Sequence, residues 1–317
     1  MVDLIEDDKS SSHTAGNPYL DVSGDPKLRR SVVCYADILG FSNLTTQAIA
    51  NGTANIFLTR IRNALTEAYA RVREQAKSFL HKDSFCMKVF TDNIVIGYPF
   101  FDFEHEHGEI ELGNTMKILS EFQTTLAMEG FLIRGGITCG EIYMDDDIVF
   151  GNGLLEAHSL DKSGGPPRIV MSASAIKLAR IHFGFYADHT DTLQNNLIYK
   201  DSDCSYFVNY LDEAFKYFPD AGIFHEVLDK HRRTIESGLK IYAPFPQIQA
   251  KFQWAASYHN YVCGSFFNAY DELDDSDILD EEQYASRLDA RSVSKHLINL
   301  DDFAVHPTRN DLTPLRR

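Results

Sequence analysis

The stretch "SVVCYADILGFS", Ser31 to Ser42, is an apolar run with Asp37 in its middle. It reads as a buried strand that carries a carboxylate, and such a group is too costly to keep without compensation. A second stretch, "CMKVFTDNIVIGYPF", Cys86 to Phe100, repeats the pattern: Asp92 stands between two β-rich runs, beside Thr91. One intrusive acid can be a turn residue. Two, each at the edge of an apolar strand, point to a shared cation.

Outward from these strands, the periodicity predicts a helix from about Ala54 to Lys77, with Phe57, Ile61, Leu65, Ala68 and Val72 on one face. "DSFCMKVF" and "NIVIGYPF" read as a hairpin with Thr91 and Asp92 at its bend. "NTMKILSEFQTTLAMEG" is a second helix, striped by Met116, Leu119, Phe122 and Leu126 and closed by Gly130. "FLIRGGITCGEIYMDDDIVFGNG" reads as a further hairpin around Gly140 and the bend Asp145–Asp147. A short helix near Leu154–Asp161, a strand "RIVMS", a helix "SASAIKLARIHFG" and strands around Leu197 and Tyr206 follow. The order β-α-β-β-α-β, then α-β, predicts an α+β fold: a ferredoxin-like sheet with helices on one face. In it the first strand and the central hairpin are neighbours, so Asp37 and Asp92 meet at one sheet edge. Residues 1–30 read as a flexible lead-in, 31–200 as the sheet unit and 201–317 as a mainly helical region.

Composition bounds the function classes. With 317 residues, 44% hydrophobic, the chain can bury one large core or two moderate ones. No run approaches the ~20 apolar residues of a membrane-spanning helix, and the acidic, polar N-terminus is not a signal peptide. Five scattered cysteines without a C-x-x-C pair favour reduced thiols in a cytoplasmic protein. A net charge of -16 argues against nucleic-acid or membrane partners. The acidic run Asp271–Glu282 reads as a solvated segment.

Four motifs in order carry a resemblance. "YADILGFS" resembles the first metal-binding motif of class III nucleotide cyclases, and "KVFTD" their second. "RGGITCGEIY" and "VFGNGLLEAHSLD" resemble the strand and Gly-led helix that follow. The family's transition-state Asn falls on Leu155, its Arg on Ser159 and its adenine-reading Asp on Ile148. The remaining pattern, with "WAASYHNY" in the C-terminal helices, resembles the bacterial pyrimidine cyclases of the Pycsar anti-phage systems. The resemblance implies a homodimer with active sites at the interface, and a cyclic UMP or cyclic CMP product that acts on a separate effector. It implies two divalent cations, Mn2+ or Mg2+, held by Asp37, Asp92 and the Ile38 carbonyl. Gly40, Phe41 and Ser42 then offer backbone N–H groups to the phosphates of a nucleoside triphosphate, UTP before CTP, and Lys88 occupies the base-reading position.

Each residue has a plainer reading too. Asp37 and Asp92 alone are turn acids, Lys88 a solvent-side strand residue, and Arg134 a structural ion-pair partner sooner than a phosphate ligand. His105 and His107 belong to a polar connection, and Trp254, the lone tryptophan, to a core. Gly136 and Gly140 suit tight packing and a turn. A non-catalytic nucleotide-binding module remains the rival to an enzyme.

Overall fold

Strand β1 (Arg29–Ile38) shows why the sheet is buried on both sides. Val32, Val33 and Cys34 are all fully buried, so successive side chains of opposite orientation meet protein on either face. The computed structural model describes residues 17–79, 84–101, 108–161, 165–186, 191–211, 221–271, 292–303 and 312–315. The run Asp271–Glu282 beyond its first residue, His105, His107 and residues 1–16 lie outside these.

After β1 come α1 (Phe41–Ala50) and α2 (Ala54–Ala76), then the hairpin β2 (Cys86–Phe90) and β3 (Asn93–Pro99). Helix α3 (Glu109–Met128) leads into β4 (Ile133–Met144), β5 (Val149–Phe150) and α4 (Asn152–Asp161). Strand β6 (Ile169–Met171), α5 (Ala173–Phe185), β7 (Ile198–Lys200) and β8 (Tyr206–Val208) follow. Helices α6 (Ala221–Ile241) and α7 (Pro246–Asp271) precede a last strand, β9 (Thr313–Pro314). These elements form a mixed α/β structure around one sheet, ordered β2-β3-β1-β4-β6-β8-β7-β9, with β5 beside β4. Strand β1 is antiparallel to both β3 and β4.

The alternation along β1 divides the core. Val32, Cys34, Ala36 and Ile38 pack with α2, α3 and α5, whereas Val33 packs on the other face with Ile142, Tyr143, Tyr19 and Ala157 of α4. Helices therefore cover both faces, not one, because β1 and β4 are apolar on both sides and α4 must close the second. Gly136 and Gly140 explain how α4 comes so close. A Cβ on Gly136 would stand 2.3 Å from the Ala157 carbonyl oxygen, and one on Gly140 would stand 2.7 Å from the Gly153 Cα. Gly140 thus lies inside a continuous twelve-residue strand and marks a helix contact. The only bend is the one at Asp145–Asp147.

The lead-in departs from expectation from Asn17 on. Tyr19 is fully buried and its hydroxyl bonds Ser31 Oγ at 3.1 Å, so a single aromatic anchors the polar segment to β1. The division at residue 200 also dissolves. It falls between β7 and β8, which pair with each other, and β9 returns from the far end of the chain to pair with β7. Trp254 of α7 ties the helical region to this hairpin. Its Nε1–H donates to Asp201 Oδ2 at 2.6 Å and its ring stacks on Tyr258 at 5.3 Å. Asp201 is also the ion-pair partner of buried Arg168. Trp254 is core, as its sequence context indicated. Among the described residues no helix is long and apolar enough to cross a membrane.

Candidate active site

Strand β1 ends at Ile38, and the chain turns through Leu39 and Gly40 into α1. Gly40 adopts φ 75°, ψ 16°, the left-handed conformation that glycine takes without strain. No side chain caps α1 and no acid stands in its first turn, so its leading N–H groups have no internal partner. Phe41 points into the protein, 6.2 Å from the Phe57 ring, which in turn meets Phe131. Its aromatic face is thus largely core packing, whatever its backbone N–H offers. Ser42 is exposed.

Asp37 lies opposite Arg134 in the β1–β4 ladder. Arg134 donates to both its oxygens, Nε to Oδ1 at 3.0 Å and Nη2 to Oδ2 at 3.3 Å. The side chains are 16% and 24% exposed, so the pair is largely shielded and compensates Asp37 directly. Arg134 is therefore an ion-pair partner, and it also lines the cavity into which Asp37 opens.

Asp92 occupies the β2–β3 bend, where Thr91 adopts φ 53° and donates its hydroxyl to Asp92 Oδ1 at 2.8 Å. Asn93 Nδ2 reaches the same oxygen at 3.4 Å. Burial pushes the Asp92 pKa up, and the Asp37 charge adds to the rise, against the hydrogen bond from Thr91 and the charge of Arg134. The two acids thus feel one another, as their placement at one sheet edge requires.

A cavity of about 300 Å³ brings them together. Asp37, Ile38, Gly40, Phe41, Ser42 and Asp92 all line it, with Arg134. Its far wall comes from the helical region: Tyr242 of the α6–α7 connection and Ile248, Lys251 and Phe252 of α7. Two carboxylates and one main-chain carbonyl are hard oxygen donors of the kind that Mg2+ and Mn2+ take. The raised pKa of Asp92 marks a carboxylate that a cation would relieve. Among the described residues no group of three or more His, Cys, Asp and Glu converges as a self-sufficient metal cage.

Lys88 is not with them. It sits on β2, where its ammonium donates to the Asp145 carbonyl at 3.1 Å and lies 5.3 Å from the Phe90 ring. Asp145 closes the β4–β5 bend: its carboxylate accepts the N–H groups of Asp147 and Ile148 and the Tyr143 hydroxyl. Those bonds, the Tyr143 hydroxyl foremost, hold its pKa below the usual range. Lys88 and Ile148 therefore share a neighbourhood, separate from Asp37 and Asp92 within one chain.

Lys251, Tyr242 and Phe252 were not singled out by sequence. The only local signal is that Ile248, Lys251 and Phe252 stand at i, i+3 and i+4, one helix face. Nothing in that spacing says which cavity the face meets.

No protein-family model matches this chain, and no curated protein does. Among solved structures, it is similar to a class III adenylyl cyclase-like ATP-binding protein from Pseudomonas aeruginosa, at 13% identity and a TM-score of 0.37. The match covers 53% of this chain and 41% of that one, less than half of its length.

Proposed function

We propose that the chain is a metal-dependent nucleotide cyclase that converts a pyrimidine nucleoside triphosphate, UTP before CTP, to its 3′,5′-cyclic monophosphate and pyrophosphate. The observation that carries this reading is the convergence of Asp37 and Asp92 on one cavity with the turn Ile38–Ser42. The acids come from different strands, and the uncapped start of α1 offers N–H groups to an anion beside them. Divalent cations bound there would lower the pKa of the ribose 3′-hydroxyl and neutralise charge on the attacking and leaving oxygens.

The protein's own part in that reaction is positional. Asp37 and Asp92, with the Ile38 carbonyl, hold the cations. Gly40 lets the backbone approach the phosphates, and the N–H groups of Phe41 and Ser42 orient them. Arg134 holds Asp37 aligned through both carboxylate oxygens.

Base selection rests on Lys88. Its ammonium is donor-only and suits a uracil carbonyl better than the cytosine amine. The adjacent Asp145 carboxylate already accepts three hydrogen bonds, so little acceptor capacity remains there for an amine. The separation of Lys88 from Asp37 and Asp92 fits a homodimer in which each site takes its base-reading lysine from the other copy. The exposed Ile148, Phe150 and Leu155, large apolar side chains within eight residues, fit such an interface. In this reading the product serves as a cytoplasmic second messenger in anti-phage defence, acting on a separate effector.

One observation favours a second reading, a non-catalytic nucleotide-binding module. Leu155 is exposed and apolar, and the Ser159 hydroxyl is turned to the Glu156 carbonyl at 2.7 Å, so neither supplies a transition-state donor. Incubation with each of the four triphosphates and Mn2+, with the product identified by mass, decides. Cyclic UMP and pyrophosphate are expected; binding without turnover refutes the enzyme.

A further inference from the structure

We propose that Lys251 of α7 binds the terminal phosphates of the nucleotide, so that the helical region builds one wall of the active site within the same chain. This rests on the reading of the Asp37–Asp92 cavity as a nucleoside triphosphate site.

The geometry starts with the α6–α7 contact. Tyr242 and Phe252 stack at 5.4 Å with their planes 16° apart. A Cβ on Gly238 would stand 2.1 Å from the Phe252 ring, so α6 leaves room for that ring only because residue 238 has no side chain. Phe252 is thus wedged between two elements of the helical region. Lys251 precedes it on the first turns of α7, shares a face with Ile248 and lines the same cavity as Asp37 and Asp92. Lys251 is half-buried, so its stem packs on the protein while the ammonium can reach the cavity.

Four charged side chains line the cavity, Asp37, Asp92, Arg134 and Lys251, and their formal charges cancel. Arg134 is engaged on both oxygens of Asp37. Two divalent cations would add about four positive charges, close to the charge of a fully ionised triphosphate. Lys251 is then the side-chain cation that the helical region contributes to the phosphate tail. In a chain of net charge -16, whose overall field repels a nucleotide, such local cations decide whether one enters. Lysine is a compact point charge with three donors, well matched to a phosphate oxygen that needs no planar fork.

The test is titration calorimetry of the full chain with tripolyphosphate in the presence of Mn2+, a probe with no base or sugar. A hydrogen bond to a charged group sets the expected loss: K251M and K251Q bind at least about tenfold more weakly, and K251R stays close to wild type. Circular dichroism identifies which variants keep the native helical signal. If either K251M or K251Q is folded and binds like wild type, the proposal is overturned; so is it if wild type does not bind Mn2+-tripolyphosphate. Turnover is read separately. Lys251-dependent binding with no cyclic product from any triphosphate overturns the cyclase reading and leaves the phosphate role of Lys251 standing.

Discussion

Acidification should loosen the helical region well before the carboxylates titrate, and a chain of buried imidazoles sets the size of the effect. The His259 Nε2 group meets the His296 carbonyl at 2.9 Å, so it must carry the proton. In a neutral ring Nδ1 then accepts, from His231 Nδ1–H at 2.9 Å. His231 Nε2 in turn accepts from the Tyr210 hydroxyl at 2.7 Å. A further proton on His259 would set its Nδ1–H against the His231 Nδ1–H, two donors face to face. Burial accordingly drives both pKa values down, that of His259 from 6.5 to about 4 and that of His231 well below its ordinary value. The neighbouring charges act mostly the same way, Arg232 on His259 and His259 on His231. His296, lowered to about 4 by burial and by His225 and Lys295, follows them against the opposing charge of Asp229.

The sign follows from linkage. Below pH 6.5 the unfolded chain binds protons that the native rings refuse, so stability falls as pH drops, until the native pKa is reached. At about 1.4 kcal/mol per pH unit, His259 alone removes about 2 kcal/mol by pH 5, and the His231–His259 pair about 2 to 4 kcal/mol. Against a typical stability of about 5–15 kcal/mol that loss is large. Asp92 opposes it, since its raised pKa makes the native state take up a proton as pH falls. Urea unfolding followed by Trp254 fluorescence, at pH 7, 6 and 5, reads the effect locally, because the lone tryptophan lies in the same apolar cluster as His259's neighbour Tyr258. The double variant H231Q/H259Q should be less stable at pH 7 yet show a much flatter pH dependence. A wild-type midpoint unchanged from pH 7 to pH 5, or an equal slope in the double variant, would refute the reasoning. Since α7 also walls the cavity, nucleotide binding should weaken over the same window.

The two acids should part company in stability while agreeing in function. Both D37N and D92N should abolish turnover, but D37N takes the charged acceptor from the Arg134 guanidinium and should cost about 1–3 kcal/mol, whereas D92N, which removes a carboxylate that burial disfavours, should leave the thermal midpoint unchanged or raised. The G136A variant should fail to fold or lose several kcal/mol, because its methyl meets the Ala157 carbonyl; a native melting curve would contradict the packing of α4. Wild type should prefer UTP over CTP by about tenfold and K88A should lose the preference; an unchanged ratio assigns base reading elsewhere. Light scattering at working concentration should give a dimer, and a fully active monomer would contradict the shared-site reading.

Much of the candidate site was legible along the chain because it depends on local chemistry. An acid inside an apolar run, a glycine that allows a left-handed turn and a second acid at a hairpin bend are each written in a few consecutive residues. Alternation of period two and helical stripes likewise located β1, α2 and the β2–β3 hairpin. What escaped depended on contacts between distant segments. Whether Gly140 marked a bend or a helix contact turned on α4, and whether residues 17–30 packed turned on one tyrosine meeting Ser31. The partner of Asp37 was fixed by register: sequence offers Arg134 many acids, but the β1–β4 ladder sets it opposite one. Lys251 shows the limit most plainly. Its helix face can be read from the spacing of Ile248, Lys251 and Phe252, but Asp92, in the cavity it joins, lies more than 150 residues away in sequence. Sequence by itself determined many of the strands and helices, though not α1 or β9, and where buried charge demands a partner. Only tertiary structure decided who that partner is, because pairing energy depends on distance and desolvation across elements, and neither is a property of a local stretch of chain.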